Sequence, residues 1–222
     1  IGLTFLSGVL GTGHHYYYIG VNKIWLVVGG IFSALEPLAF LAMALFAVNM
    51  YRKGEKSHPN KIALFWTIGS AIVSFVGAGL LGFAHTLPQT NLYTHGTLVT
   101  AMHGHYAFWG AYAMIVLAII SYALPNLTGR KRYNSTNGHM AFWISNIGIL
   151  GMTVAFGVAG VAQVYMERKL KMDFMDVQNE IAIHFVVLLI CATMFTVGIG
   201  MFIYEFIKYG LPSDEALVGE NQ

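Results

Sequence analysis

The sequence predicts an all-α protein, a polytopic transmembrane helix bundle with five complete helices and one partial one, forming a single domain over residues 1–222. Three observations carry that prediction. Only 10% of the 222 residues are charged and 56% are hydrophobic, against roughly 25% charged in a soluble domain. Charge is absent between Lys61 and Arg130, between Tyr133 and Met166, and between Ile181 and Tyr204. Each window exceeds the about 20 apolar residues that one helical crossing of a bilayer requires. Most of the charges lie outside those windows, and Pro59, Pro88 and Pro125 mark expected breaks between crossings.

In chain order, residues 1 to about 14 form an apolar run with no initiator Met, basic n-region or cleavage site. It reads as the tail of a helix cut in half, part of a longer chain, rather than as a signal peptide. Complete crossings are expected at Ile24 to Tyr51, Ile62 to His85, His95 to Leu124, Gly138 to Val164 and Ile181 to Ile207. The breaks are Arg52-Lys53-Gly54-Glu55-Lys56 with Pro59, Pro88 to Asn91, Pro125 to Asn137 with Arg130-Lys131-Arg132, and the mixed-charge stretch Glu167 to Glu180. Glycines inside the crossings, Gly77/Gly79/Gly82 and Gly148/Gly151/Gly157/Gly160, suit close helix packing.

Two crossings separate the basic loops at Arg52 and Arg130, so both lie on one side, which the positive-inside rule makes cytoplasmic. The loops at Tyr16 to Lys23, Leu87 to Thr94 and Glu167 to Glu180 then face outward, and the tail after Glu205 faces inward. A net charge of +2 reflects scarcity of charge, so no nucleic-acid partner is expected. The single cysteine, Cys191, excludes a disulfide framework and thiolate ligation within this chain, so any metal must use other ligands.

Ionisable residues inside hydrocarbon are costly and therefore mark candidate sites. They are His14-His15, Glu36, the His95/His103/His105 group, and His184 and His139 nearer helix ends. His103 and His105 lie about eight to ten residues into a helix entered from the outer side, or roughly 12 to 15 Å deep. Glu36 is also entered from that side, so these groups can share one outer-half cavity. Two positions apart on a helix, His103 and His105 point about 200° apart. They suit two different irons on opposite sides of the helix, with Gly104 leaving room for a flat macrocycle, and imidazole is a neutral axial ligand for haem. The alternative is a pair of core histidines bonded to backbone carbonyls.

A helix end can turn the adjacent His14 and His15 toward one centre, where a small ion would need a third ligand from another helix. Interfacial histidines beside Tyr16-Tyr17-Tyr18 are the competing reading. Glu36, followed by Pro37, can ligate or neighbour a metal, relay protons, or serve as a neutral hydrogen-bonding acid. His95 suits haem propionates or a plain interfacial position rather than iron.

The paired His14-His15, the His103-Gly104-His105 helix and Glu36 together resemble the C-terminal half of the catalytic subunits of bacterial nitric oxide reductases, within the haem-copper oxidase superfamily. The resemblance covers the whole chain and implies a bundle of the haem-copper oxidase catalytic-subunit type. It implies that His14 and His15 bind the non-haem iron FeB with a third histidine outside this chain. It further implies that His103 is the proximal ligand of a high-spin haem b3 and His105 one of two ligands of a low-spin haem b. Glu36 would stand beside or on the distal metal, and a structural calcium in the full complex is a further expectation. The implied reaction is reduction of two NO to N2O and water with two electrons and two protons. Expected partners are nitric oxide, a membrane-anchored cytochrome c subunit, with quinol as the other donor, membrane lipid, and the N-terminal half of the same subunit. The expected location is the bacterial inner membrane, with the redox site in the periplasmic half. The rivals are a haem-copper cytochrome oxidase reducing O2 and, in a different class, a transporter or scaffold whose histidines only pack or bind substrate.

Overall fold

The computed structural model describes residues 2–54, 60–128 and 135–210. The described residues are helical with short connections and include no strand. Helix α1 (Gly2–Gly11) runs into a tight turn at Thr12–Tyr16, followed by α2 (Lys23–Ser33), α3 (Glu36–Lys53) and α4 (Lys61–Ser74). A π-helical turn, Phe75–Leu81, joins α4 to α5 (Gly82–Thr86); the short α6 (Pro88–Thr94) then leads to α7 (Leu98–Phe108). A second π-turn, Trp109–Ala113, joins α7 to α8 (Met114–Thr128), and α9 (Thr136–Val164) ends in a third at Tyr165–Lys169. The short α10 (Phe174–Glu180) precedes α11 (Ala182–Gly210).

Five stretches are long and apolar enough to cross a membrane: Lys23–Lys53, Lys61–Thr86, Leu98–Thr128, Thr136–Lys169 and Ala182–Lys208. They match the five expected crossings, and the differences have local causes. Pro125 does not end its helix as expected; α8 continues to Thr128. A proline cannot bond the carbonyl four residues back, and here that carbonyl, on Ser121, accepts a 2.7 Å bond from Asn60 Nδ2 instead. The outer loop expected at Leu87 to Thr94 contains α6, started by Pro88 after an extended Leu87. His95 stands outside the crossing it was expected to open. Gly96 takes φ +71° and Thr97 caps α7 by accepting from Val99 N, so the helix begins at Leu98. At the far end of α9 the π-turn extends the crossing five residues past Val164, and α10 occupies part of the expected loop. The clusters at Glu55-Lys56 with Pro59 and at Arg130-Lys131-Arg132, and the tail after residue 210, lie outside the described residues.

The core lies between α4, α7, α8 and α9. Trp66 and Met114 are fully buried there, with Trp109, Phe142 and Ile149 around them. Trp66 meets Trp109, Phe142 and Phe202 edge-to-face, with ring centroids 5.0 to 6.0 Å apart, the arrangement that aromatic quadrupoles favour. Glycines allow the backbones to touch, as the sequence suggested. A Cβ on Gly148 would lie 2.5 Å from Phe195 N of α11, and one on Gly77 would lie 2.8 Å from Ala107 N of α7.

The two rods α4–α5 and α7–α8 are joined by hydrogen bonds to a carbonyl in each other's π-turn. Ser70 of α4 donates to Gly110 O at 2.7 Å, and His103 of α7 donates to Gly77 O at 2.9 Å. Single π-turns recur at functional sites because they displace the helix register by one residue.

Candidate haem and metal site

The geometry of the site begins at the end of α1. Glycines 13 and 29 bring the Thr12–Tyr16 turn against α2 so closely that a Cβ on Gly29 would lie 2.5 Å from His14 N. His14 Nδ1 thereby comes within 2.7 Å of Ser33 Oγ. The single Ser33 hydroxyl proton goes to Gly11 O, so Ser33 accepts from Nδ1–H. The Nε2 of His14 is then left with a bare lone pair. The exposed His15 ring lies against His14, centroids 4.1 Å apart.

Helix α2 stops at Ser33, and α3 begins at Glu36 with Pro37 in its first turn. The break sets the half-buried Glu36 carboxyl toward α5. A Cβ placed on Gly82 would lie 3.8 Å from Glu36 Oε2 and 3.2 Å from His103 Cε1, so Gly82 is where the acid and the imidazole converge. His103 lies close enough to His14 and His15 that a proton on one would be felt by the others. The candidates His14, His15, Glu36 and His103 thus fall into one region.

His105 points elsewhere. It is exposed, its ring stacks on Phe156 of α9 at 5.1 Å, and its Nδ1 donates to Ala101 O at 2.8 Å. The two-sided arrangement expected of the HGH helix is therefore observed, and a Cβ on the intervening Gly104 would meet nothing within 4 Å. Both histidines do bond backbone carbonyls, the alternative weighed from the sequence, but each uses only Nδ1. A carbonyl can only accept, so Nδ1 carries the proton in both rings and Nε2 remains a free donor for iron. A ligating histidine is ordinarily held in this way through its other nitrogen. The donor set fits axial ligation of two separate haem irons.

For a small ion the fit is partial. Among the described residues no three His, Cys, Asp or Glu side chains come together as a metal-binding group. His14 and His15 supply two imidazoles, which leaves a first-row ion in need of further donors.

Among the described residues, His95, His139 and His184 make their contacts elsewhere. His95 is exposed and stacks on Tyr18 at 4.1 Å, while its carbonyl accepts from Arg168. His139 donates to Ser135 O and His184 to Ile181 O, each within the first turn of its own helix. Sequence reasoning missed His85. Its ring lies 5.5 Å from that of His103, but in the sequence it looks like the last residue of a crossing. The only signal was its spacing of three from Gly82, which puts both on one face of a helix.

Two comparisons bear on this geometry. The family model for cytochrome c and quinol oxidase polypeptide I matches residues 1–194. The chain is 43% identical over 218 residues, 95% of its own length, to a nitric oxide reductase subunit from Stutzerimonas stutzeri. It covers 46% of that protein, so it spans about half the length of the curated relative it matches.

Proposed function

The chain is a multi-pass membrane protein of the cytochrome c and quinol oxidase polypeptide I family, and on that premise we propose that it is part of a nitric oxide reductase catalytic subunit. The observation that carries the reading is the pair His103 and His105. Their Nδ1 atoms are held by carbonyls and their Nε2 atoms are free on opposite sides of one helix. The name of the S. stutzeri relative supports NO rather than O2 as substrate, as does the presence of Glu36 beside His103.

In this reading His103 would hold the iron of the high-spin haem b3 and His105 that of the low-spin haem b. His14 and His15 hold FeB together with a histidine outside this chain. When bound, these groups supply two electrons and adjacent iron sites for two NO molecules, whose combination with two protons gives N2O and water. The residues of this chain do the positioning and the proton work. Gly77 O fixes the azimuth of the His103 ring, Ser33 fixes that of His14, and the Glu36 carboxyl, half-buried over Gly82, holds and releases protons toward the centre. If it contributes to the cofactor, His95 would hold a haem carboxylate rather than iron, on the side proposed to be periplasmic.

The proposed partners are nitric oxide, a membrane-anchored cytochrome c subunit as electron donor, surrounding lipid, and the other half of the catalytic chain. A structural calcium belongs to the assembled complex, and the bacterial inner membrane is the proposed location. Anaerobic turnover of the complete enzyme tests the reading. Consumption of two NO for each N2O formed is expected, whereas O2 reduction without NO turnover contradicts it.

A further inference from the structure

We infer that His85 is a positioning residue for His103, holding its imidazole ring in place from α5. The inference rests on the proposed ligation of haem by His103. Gly82 and His85 are three residues apart and share one face of α5; Thr100 and His103 share one face of α7 in the same way. The two faces interlock. The His103 ring lies over Gly82, where a Cβ would stand 3.2 Å from Cε1. The His85 ring lies beside it, centroids 5.5 Å apart and tilted by 44°. With Gly77 O holding Nδ1 at 2.9 Å, the His103 ring is restrained at its nitrogen, at its edge and by the neighbouring ring.

His85 can act as a stop only if it is itself fixed, and it is. Its Nε2 lies 3.2 Å from Thr100 Oγ1. Thr100 gives its own hydroxyl proton to Thr94 O, so its oxygen accepts from His85 Nε2–H. The His85 carbonyl accepts from Asn91 Nδ2 at 2.8 Å, and Asn91 is buried in α6. These bonds tie His85 to α6 and α7 at once. A histidine that merely finished a helix at the membrane edge would face water and need none of them.

The test uses the complete enzyme and the iron–histidine stretching band of its ferrous high-spin haem, read by resonance Raman spectroscopy. His85→Ala is expected to shift or broaden that band while high-spin haem content holds. It is also expected to lower kcat by roughly tenfold with KM unchanged. His85→Phe, which refills the space against His103, is expected to restore the band. An unaltered band and kcat in the Ala variant, or Phe behaving like Ala, would overturn the inference. If His85→Ala does not assemble haem, Thr100→Val decides. It frees the His85 ring and is expected to broaden the band at normal haem content, and an unchanged band overturns the inference. A wild-type enzyme without a histidine-ligated high-spin haem overturns the proposed function itself, an outcome distinct from either.

Discussion

His103 Nδ1 donates to the carbonyl oxygen of Gly77, 2.9 Å away on a π-turn of another helix. His105, two residues further on, uses its Nδ1 on Ala101 O within its own helix. The same residue type on the same helix is therefore steered by two different scaffolds, one in the bundle interior and one at its periphery.

Because the two rings face opposite sides, their loss should separate two optical signals. His105→Ala should remove the low-spin haem spectrum while the high-spin one persists, and His103→Ala should do the reverse. Reduced-minus-oxidised spectra of the two variants read this directly, and identical losses from both would refute the two-sided assignment.

Glu36 and His103 converge on Gly82, which places the only acid of its crossing at the centre. Glu36→Gln keeps the shape and removes the exchangeable carboxyl proton. NO reduction should fall by roughly 100-fold, the scale of one general acid or base. Haem and iron content should be retained, as metal analysis beside the turnover assay would establish. Full activity in the Gln variant would remove Glu36 from proton delivery.

Ser33 is buried and accepts from His14 Nδ1. Losing such a partner typically weakens metal affinity by about 10- to 100-fold. Ser33→Ala should therefore lower non-haem iron occupancy after chelator challenge without altering either haem spectrum.

Asn60 works at the opposite end of the bundle. Its Oδ1 caps α4 through Ala63 N at 3.0 Å, and its Nδ2 satisfies the Ser121 carbonyl that Pro125 leaves unbonded. Asn60→Ala should destabilise the protein by about 2 kcal/mol, the sum of a cap and an orphaned acceptor being of that order. Asn60→Ser, which keeps the cap, should cost less. Thermal unfolding in detergent ranks the three proteins, and equal Tm values would mean that neither the cap nor the Ser121 bond contributes to stability.

The five crossings were legible in the sequence because a long apolar window with few or no charges is a property of composition, which packing does not alter. The divergence of His103 and His105 was legible too, since a two-residue offset on a helix fixes their relative direction. Other features depended on distant partners and were not. Pro125 looked like a break because nothing local shows that Asn60, in another helix, takes over the Ser121 carbonyl. His85 looked like a helix end because its role depends on Thr100, Asn91 and His103, which only the fold assembles around it. Ser33 was one serine among many until the turn at His14 came to rest on α2.

The proposed role of this chain is to carry ligands of a haem and non-haem iron centre for nitric oxide reduction. Metal analysis combined with optical spectra of the complete enzyme tests it most directly. One low-spin and one high-spin haem with additional non-haem iron and no copper are expected. Copper in place of the non-haem iron would contradict it in favour of an oxygen reductase, and absence of haem would contradict both.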